Sequence, residues 1–266
     1  MISELPLWAF TILTGISCGA YIAAALFPTT SKQEVSASSE GAVPMGGKKN
    51  QWAFPLVALV LIAVGGLCAV AHLGRPQLML NVLNNPTASI TMEGICAGML
   101  GVVALVDIIL SRKDGTSPRW IRVVGAIVGI VFMAVVTSAY VTSYGNPSWI
   151  ATPTFPLFIL GDVSVGCALW LAFFDEDSKP LMLVTGIVAG LFALNLVWEG
   201  AVFAGFEQSG TAVIFIGALI AIIETVLAFL DRFEKLNASW VRMAIFIGAV
   251  AALAISRYGF YMASII

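Results

Sequence analysis

Charged residues are scarce in this 266-residue chain: they make up 11% of the sequence, whereas 59% of its residues are hydrophobic. Soluble domains carry about 25% charged residues, so this composition excludes an ordinary soluble protein. The formal net charge of −2, with basic residues spread over the chain, predicts no nucleic-acid partner. Long apolar stretches recur from one terminus to the other and predict an all-α, polytopic membrane protein.

Cysteine and histidine are also rare, at four residues and one residue. No two cysteines have the Cys-x-x-Cys spacing of zinc or iron–sulfur sites, so no metal site is predicted in this chain. A bis-histidine haem needs two axial imidazoles, and the single His72 therefore argues against haem. We interpret the cysteines as small packing residues; they are Cys18, Cys68, Cys96 and Cys167.

Eight apolar stretches are long enough, at about 1.5 Å per residue, to cross a hydrocarbon core of roughly 30 Å. Because they are apolar on every face, they do not match the alternating strands of a β-barrel. We expect one integral membrane domain over residues 1–266, and the even helix count permits two four-helix bundles. Residues 28–51, rich in Ser and Gly, predict a flexible cytoplasmic loop. The predicted helices cover residues 5–27, 52–72, 91–110, 120–144, 155–174, 180–205, 211–230 and 240–266.

Basic residues lie almost entirely on one side of this predicted topology. Eleven of the 13 Lys and Arg residues fall in or beside the connections after helices 1, 3, 5 and 7, and only Arg75 and Arg257 fall elsewhere. The positive-inside rule assigns those connections to the cytoplasm and predicts that both termini lie outside. The connection after helix 2, which follows His72, then faces outward.

Ionisable residues inside the predicted spans are candidates for function, since a charge in hydrocarbon is costly unless it is paired or faces a cavity. Four of them fall in the outer half, where they could converge on one polar pocket: Glu93, Asp162, Glu199 and Arg257. Asp107 and Glu224 lie nearer the cytoplasmic ends, where we expect them to reach basic loops or solvent as structural residues.

His72 ends the second apolar stretch, and Glu93 opens the third. If the second helix continues to Arg75, a three-residue separation places the imidazole and the guanidinium on one face. A base, a cation and a carboxylate at this point can bind the oxygens of a quinol and accept its protons. The alternative is an interfacial histidine that caps the end of helix 2.

This region resembles the membrane-anchor subunit family of dimethyl sulfoxide reductase. The resemblance rests on residues 1–27 in outline, on His72-Leu73-Gly74-Arg75-Pro76, on Asn81-Val82-Leu83-Asn84, and on residues 89–98, which include Glu93. It is firm over residues 52–110 and looser elsewhere.

The resemblance implies an anchor subunit of anaerobic respiration in the cytoplasmic membrane of a prokaryote. Such a subunit takes electrons from menaquinol and reduces no sulfoxide itself. The electrons pass to a ferredoxin-like iron–sulfur subunit docked on the outer face, and from there to a molybdopterin catalytic subunit. Carried over to this sequence, the resemblance implies catalytic roles for His72 and Glu93, and quinol contacts from His72, Arg75, Asn81 and Glu93.

Three other functions remain open on the sequence. A polysulfide or tetrathionate reductase-type membrane subunit also has eight helices around an outward quinol site, and hydropathy does not separate it from the first interpretation. A secondary transporter would likewise contain intramembrane acids and glycine interruptions such as Gly65 and Gly66. Gly15 and Gly19, however, have the spacing of a close helix–helix contact. The third alternative is an inert anchor, with quinol handled by another subunit.

Overall fold

The computed structural model describes residues 4–28, 51–114, 117–174, 178–236 and 240–263. Within these ranges the chain forms eight helices long and apolar enough to span a membrane, and no strand, which confirms the predicted fold class. The predicted cytoplasmic loop lies outside the described residues except at its two ends. The helices are α1 (Leu5–Leu26), α2 (Ala53–His72), α3 (Ser89–Asp114), α4 (Arg119–Val141), α5 (Thr154–Phe173), α6 (Lys179–Gly205), α7 (Thr211–Arg232) and α8 (Trp240–Met262).

The connection between α2 and α3 contains an additional 3₁₀ segment, Pro76–Asn84, which hydropathy does not predict. Leu73 leaves α2 with an extended backbone (φ −68°, ψ 128°), so the helix ends at His72. Proline occupies the first turn of the 3₁₀ segment, where its missing N–H leaves no hydrogen bond unmade. The threonine hydroxyl of Thr91 in α3 donates to the carbonyl of Val82 at 2.7 Å and holds the segment against the bundle.

The helices pack as two groups of four. In the first group α1 contacts α2 and α4, and α3 completes the ring between them; in the second group α5 contacts α6 and α8, and α7 completes the ring. The groups meet mainly where α1 packs against α5, with smaller contacts between α4 and α5 and between α1 and α8. Helix α1 is therefore shared by both groups, and it is the most deeply buried of the eight spans.

Glycine makes the α1–α5 contact possible. A Cβ atom on Gly19 would overlap the carbonyl of Asp162, and one on Gly166 would overlap the backbone of Gly19. The two backbones therefore approach each other directly, as small residues allow in membrane helices. The close-contact interpretation of Gly15 and Gly19 is confirmed, because Gly15 also faces Asp162.

The two ends of the bundle differ in charge. We call one end the histidine end: it contains His72, the start of α1 and the end of α8, where Trp149 donates to the carbonyl of Phe260 at 3.1 Å. At the opposite end Trp170 donates to the carbonyl of Phe27 at 2.8 Å. Described basic residues gather at this opposite end; they are Arg112, Lys113, Arg119, Arg122, Lys179, Arg232, Lys235 and Arg242.

Enlarging Gly166 should weaken the protein, because the backbone of α1 leaves no room for a side chain. We expect Gly166→Ala to cost about 1–3 kcal/mol of unfolding free energy, the usual penalty for overpacking. Denaturant unfolding of the purified chain in detergent measures this cost. Gly98→Ala is the matched control, since a Cβ atom there meets no atom within 4 Å; equal stability of the two variants would contradict the direct backbone contact.

Candidate functional site

His72 is the last residue of α2 and is exposed at the histidine end. Its Nε2 atom lies 3.6 Å from a carboxylate oxygen of Glu4, the residue that precedes α1. The predicted end of α2 at His72 is confirmed, and the condition that the helix continues to Arg75 is not met, because the backbone turns to an extended conformation at Leu73. The imidazole and the guanidinium therefore do not share a helical face, and the imidazole lies beside the carboxylate of Glu4 instead.

Arg75 and Asn81 lie at the 3₁₀ segment: Arg75 directly precedes it and Asn81 is inside it. Both side chains are exposed, and no described carboxylate forms an ion pair with Arg75. No residue of the segment is buried, and even the apolar side chains of Leu80 and Leu83 expose 69% and 60% of their surface. The segment thus presents polar and apolar groups together at the outer edge of the bundle.

Glu93 lies near the start of α3 and is half-buried. It forms no hydrogen bond or ion pair with another described residue, but it is close enough to Tyr140 and Tyr261 for electrostatic interaction. Helices α2 and α3 pack together, so His72 and Glu93 occupy neighbouring helices at the same end. The structure does not bring their side chains into direct contact.

Apolar side chains surround this end of α2 and α3 and point away from the protein. Leu67 is 68% exposed, and Ile90, Met92 and Ile95 are each more than 40% exposed. On a membrane-spanning chain, such a surface faces lipid. Glu93 thus lies in the same turns of α3 as side chains that face lipid.

Arg257 is the most deeply placed cation of the described chain and is completely buried in α8. One guanidinium nitrogen lies 2.5 Å from a carboxylate oxygen of Asp162 in α5 and 3.4 Å from the carbonyl of Phe158. Another nitrogen donates to the carbonyl of Thr11 in α1. The guanidinium also lies 4.5 Å above the ring of Phe158, a cation–π contact. Arg257 therefore joins three helices that belong to both groups.

A line of hydroxyl groups starts at Thr11, whose backbone carbonyl accepts from Arg257. The hydroxyls of Tyr140 in α4 and Tyr261 in α8 are 2.5 Å apart, and Tyr261 donates to Thr11 at 3.4 Å. The ring of Tyr140 stacks on Phe158 at a centroid distance of 4.9 Å. Sequence reasoning missed both tyrosines; their only signal is a position near the ends of spans, which is also typical of interfacial aromatic residues.

The other intramembrane acids have separate hydroxyl partners. Glu199 accepts from Thr154 at 3.3 Å, and no described hydrogen bond or ion pair joins Glu93 or Glu199 to Asp162 and Arg257, which the sequence had suggested could share one pocket with them. Glu224 accepts from Ser164 at 3.2 Å, and the carboxylate of Asp107 accepts from two serines, one at 3.0 Å. Asp107 and Glu224 are buried rather than solvated, but Asp107 accepts from Ser117 in the connection between α3 and α4, so it does reach a loop flanked by basic residues, as expected.

Eight apolar helices with ionisable groups inside them define an integral membrane subunit. A family model described as DMSO reductase anchor subunit (DmsC) matches residues 1–210, and the chain belongs to this family. No curated protein matches the sequence. The matched range contains His72, Arg75, Asn81 and Glu93 and ends before α7. Family membership makes the chain a membrane anchor that associates with the catalytic subunits of a dimethyl sulfoxide reductase-type complex.

Neutralising Asp162 should strongly destabilise the bundle, because Asp162→Asn leaves the buried charge of Arg257 without its counter-ion. Breaking such a pair costs about 3–5 kcal/mol, whereas removing both charges costs less. We expect the double variant Asp162→Asn/Arg257→Met to be more stable than Asp162→Asn alone. Denaturant unfolding in detergent makes the comparison, and a double variant at least as unstable as the single one would refute it.

An exposed ion pair provides the control. Lys179 and Glu234 form a salt bridge at the opposite end, and the ammonium lowers the pKa of the Glu234 carboxyl through a hydrogen bond and its charge. Any stabilisation of the fold by this ion pair is present at neutral pH and is lost as the pH falls through the lowered pKa of Glu234. Because both side chains are solvated, Glu234→Gln should leave the unfolding midpoint unchanged.

Proposed function

We propose that this chain oxidises menaquinol at the histidine end and passes both electrons to an iron–sulfur subunit docked there. The observation that carries the proposal is the position of His72 and Glu93. A base and a half-buried acid stand on neighbouring helices at one end, beside an apolar surface that faces lipid. The family match to a DMSO reductase anchor subunit supports the proposal.

The chemistry needs two proton acceptors and a route for two electrons. Menaquinol loses two protons and two electrons and leaves as menaquinone. In this proposal His72 accepts one proton, and the carboxylate of Glu4, 3.6 Å away, stabilises the positive charge of the resulting imidazolium. Glu93, which has no counter-ion among the described residues, accepts the other proton as a general base.

Arg75 and Asn81 have a different role in the proposal. Their side chains are exposed on the 3₁₀ segment rather than packed against Glu93, so they contact the quinol head group from the outer side or meet the partner subunit. The exposed Leu80 and Leu83 favour a protein contact, because a protein interface combines an apolar centre with a polar rim. The iron–sulfur subunit would thus dock close to the quinol.

The proposed orientation of the protein in the membrane follows from the distribution of its basic residues. The described basic residues cluster at the opposite end, so the positive-inside rule places that end in the cytoplasm and the histidine end outside, together with both termini. Protons and electrons then leave quinol on the same side of the membrane. Neither the protons nor the electrons cross the bilayer in this step, so the oxidation itself conserves no energy as a membrane potential.

The site is tested by Glu93→Gln and His72→Gln in the assembled complex. Each variant loses one proton acceptor, and we expect oxidation of a menaquinol analogue to fall about 100-fold or more, the usual contribution of a general base. Electron transfer from an artificial dye to the terminal acceptor should continue, because that route avoids quinol. Glu224→Gln is the matched control, as this buried glutamate lies in another group of helices. Normal quinol oxidation in both site variants would refute the assignment of His72 and Glu93 to the quinol site.

The orientation is tested by single cysteines in whole cells. A cysteine at Asn85, beside the 3₁₀ segment, should react with a membrane-impermeant maleimide, whereas one at Lys235 should react only after the membrane is opened. The parent protein gives the background, since its four native cysteines are buried or half-buried. The reverse labelling pattern would contradict the proposed topology and indicate the opposite orientation.

A further inference from the structure

A groove opens on the outside of the second group of helices, between α6 and α7. Its volume is about 430 Å³, which falls within the range of about 300–1,000 Å³ that is usual for ligand pockets. None of its lining residues belongs to the proposed quinol site. We call it the α6–α7 groove and define it by six of those residues: Gly186, Gly190, Val197, Thr225, Val226 and Phe229.

The two helices touch at the floor of the groove. A Cβ atom on Gly186 would lie 3.3 Å from the Cβ of Ala228, and one on Gly190 would lie 3.4 Å from the Cγ2 of Thr225. Glycine thus lets α6 approach α7 closely, as small residues do in membrane helices. The rest of the described chain does not cover the groove, since Val226 is 50% exposed. On a membrane-spanning chain this surface meets lipid.

The lining of the groove suits only an apolar ligand. Every lining residue is aliphatic, aromatic or glycine except Thr225, whose hydroxyl donates to the carbonyl of Ala221 at 2.8 Å. The one polar side chain thus uses its proton within α7. A polar ligand would lose hydrogen bonds on entering such a groove, whereas a hydrocarbon chain has none to lose.

The size of the groove distinguishes a hydrocarbon chain from a partner helix. Gly186 and Val197 are its first and last lining residues on α6 and lie about 16 Å apart along the helix axis. A helix about 10 Å wide and of that length would occupy roughly 1,300 Å³, far more than the groove holds. One extended hydrocarbon chain, about 4–5 Å wide at the contact distance of carbon atoms, occupies roughly 200–300 Å³. The length of the groove also matches one leaflet, which is half of a hydrocarbon core of about 30 Å.

Arg232 stands beyond the end of the groove that is nearer the membrane surface. It follows Phe229 by one turn and Thr225 by two turns of α7, so the three residues share one face of the helix. Its side chain is half-buried, and its Nε atom is buried with no hydrogen-bond partner in the described part of the chain. Glu234 interacts with Arg232 electrostatically, but its carboxylate is already bound to Lys179. The guanidinium is therefore suited to bind an anion at the end of the groove.

We propose that the α6–α7 groove binds one phospholipid, taken from the leaflet at the end of the bundle opposite to the histidine end. An acyl chain fills the groove between Gly186 and Val197, and the phosphodiester accepts hydrogen bonds from the guanidinium of Arg232. Charge complementarity sets the direction of the lipid, because its one obligatory anion lies beside Arg232 and its chain extends toward the centre of the membrane. The lipid is separate from quinol oxidation at the histidine end.

The first test counts phospholipids on the full-length chain in detergent by native mass spectrometry, after palmitoyl-oleoyl phosphatidylglycerol is added to delipidated protein. The parent should retain one tightly bound molecule. Val226→Trp places an indole ring in the groove, and we expect this molecule to be lost. Val102→Trp is the matched control, because Val102 is also exposed, at 60%, but lies on α3 in the other group of helices; it should retain the lipid.

The second test removes the phosphate contact and leaves the groove unchanged. Arg232→Gln loses a charge-assisted hydrogen bond, so the Kd of phosphatidylglycerol should rise about 10-fold. Arg119→Gln is the control, since Arg119 is an exposed arginine at the same end but belongs to the other group of helices. Diacylglycerol with the same acyl chains lacks the phosphate, so it should bind the parent more weakly than phosphatidylglycerol does and should not distinguish Arg232→Gln from the parent.

Four results would overturn the lipid assignment. A parent chain that retains no phospholipid, or a Val226→Trp variant that retains as much as the parent, excludes the groove as the binding site. Equal binding of diacylglycerol and phosphatidylglycerol to the parent excludes the contact between Arg232 and the phosphate. A dimer of the chain that dissociates in Val226→Trp would identify the groove as a contact between two copies instead. The variants of His72 and Glu93 test quinol oxidation separately from all of these results.

Discussion

The ion pair between Arg257 and Asp162 is the interaction on which the rest of this structure depends. A guanidinium in hydrocarbon is costly unless its hydrogen bonds are satisfied, and the carbonyls that satisfy this one belong to α1 and α5. Meeting that requirement draws α8, α5 and α1 together and places α1 between the two groups of helices. Glu4, at the start of α1, is thereby brought to His72.

The fold could be predicted from the sequence because a membrane imposes a simple rule. Each span must be long and apolar and must satisfy its own backbone hydrogen bonds, so hydropathy alone finds all eight helices and the side on which basic residues gather. The 3₁₀ segment Pro76–Asn84 could not be found in this way, since it is not a span. Its geometry depends on Thr91, which hydropathy does not relate to Val82.

The site was predictable in its residue types but not in its contacts. His72 and Glu93 stand out because a lone histidine and an acid flank an outer connection, and the structure places both at one end of the bundle. The partner of His72 could not be foreseen, because Glu4 precedes α1 whereas His72 ends α2, far along the chain. Tyr140 and Tyr261 were missed for a related reason: a hydroxyl line across α4, α8 and α1 exists only after the helices have packed.

Family membership favours the dimethyl sulfoxide reductase branch over the polysulfide and tetrathionate reductase type. The α1–α5 contact bears on the transporter alternative, since rocking transporters move one helical repeat against the other. Here the backbones of Gly19 and Gly166 touch, and the hydrogen bond from Arg257 to the carbonyl of Thr11 crosses the same boundary. Sliding along that boundary would break this buried hydrogen bond and separate the two backbones. The two groups of helices are thus fixed to each other at this boundary, unlike the repeats of a rocking transporter.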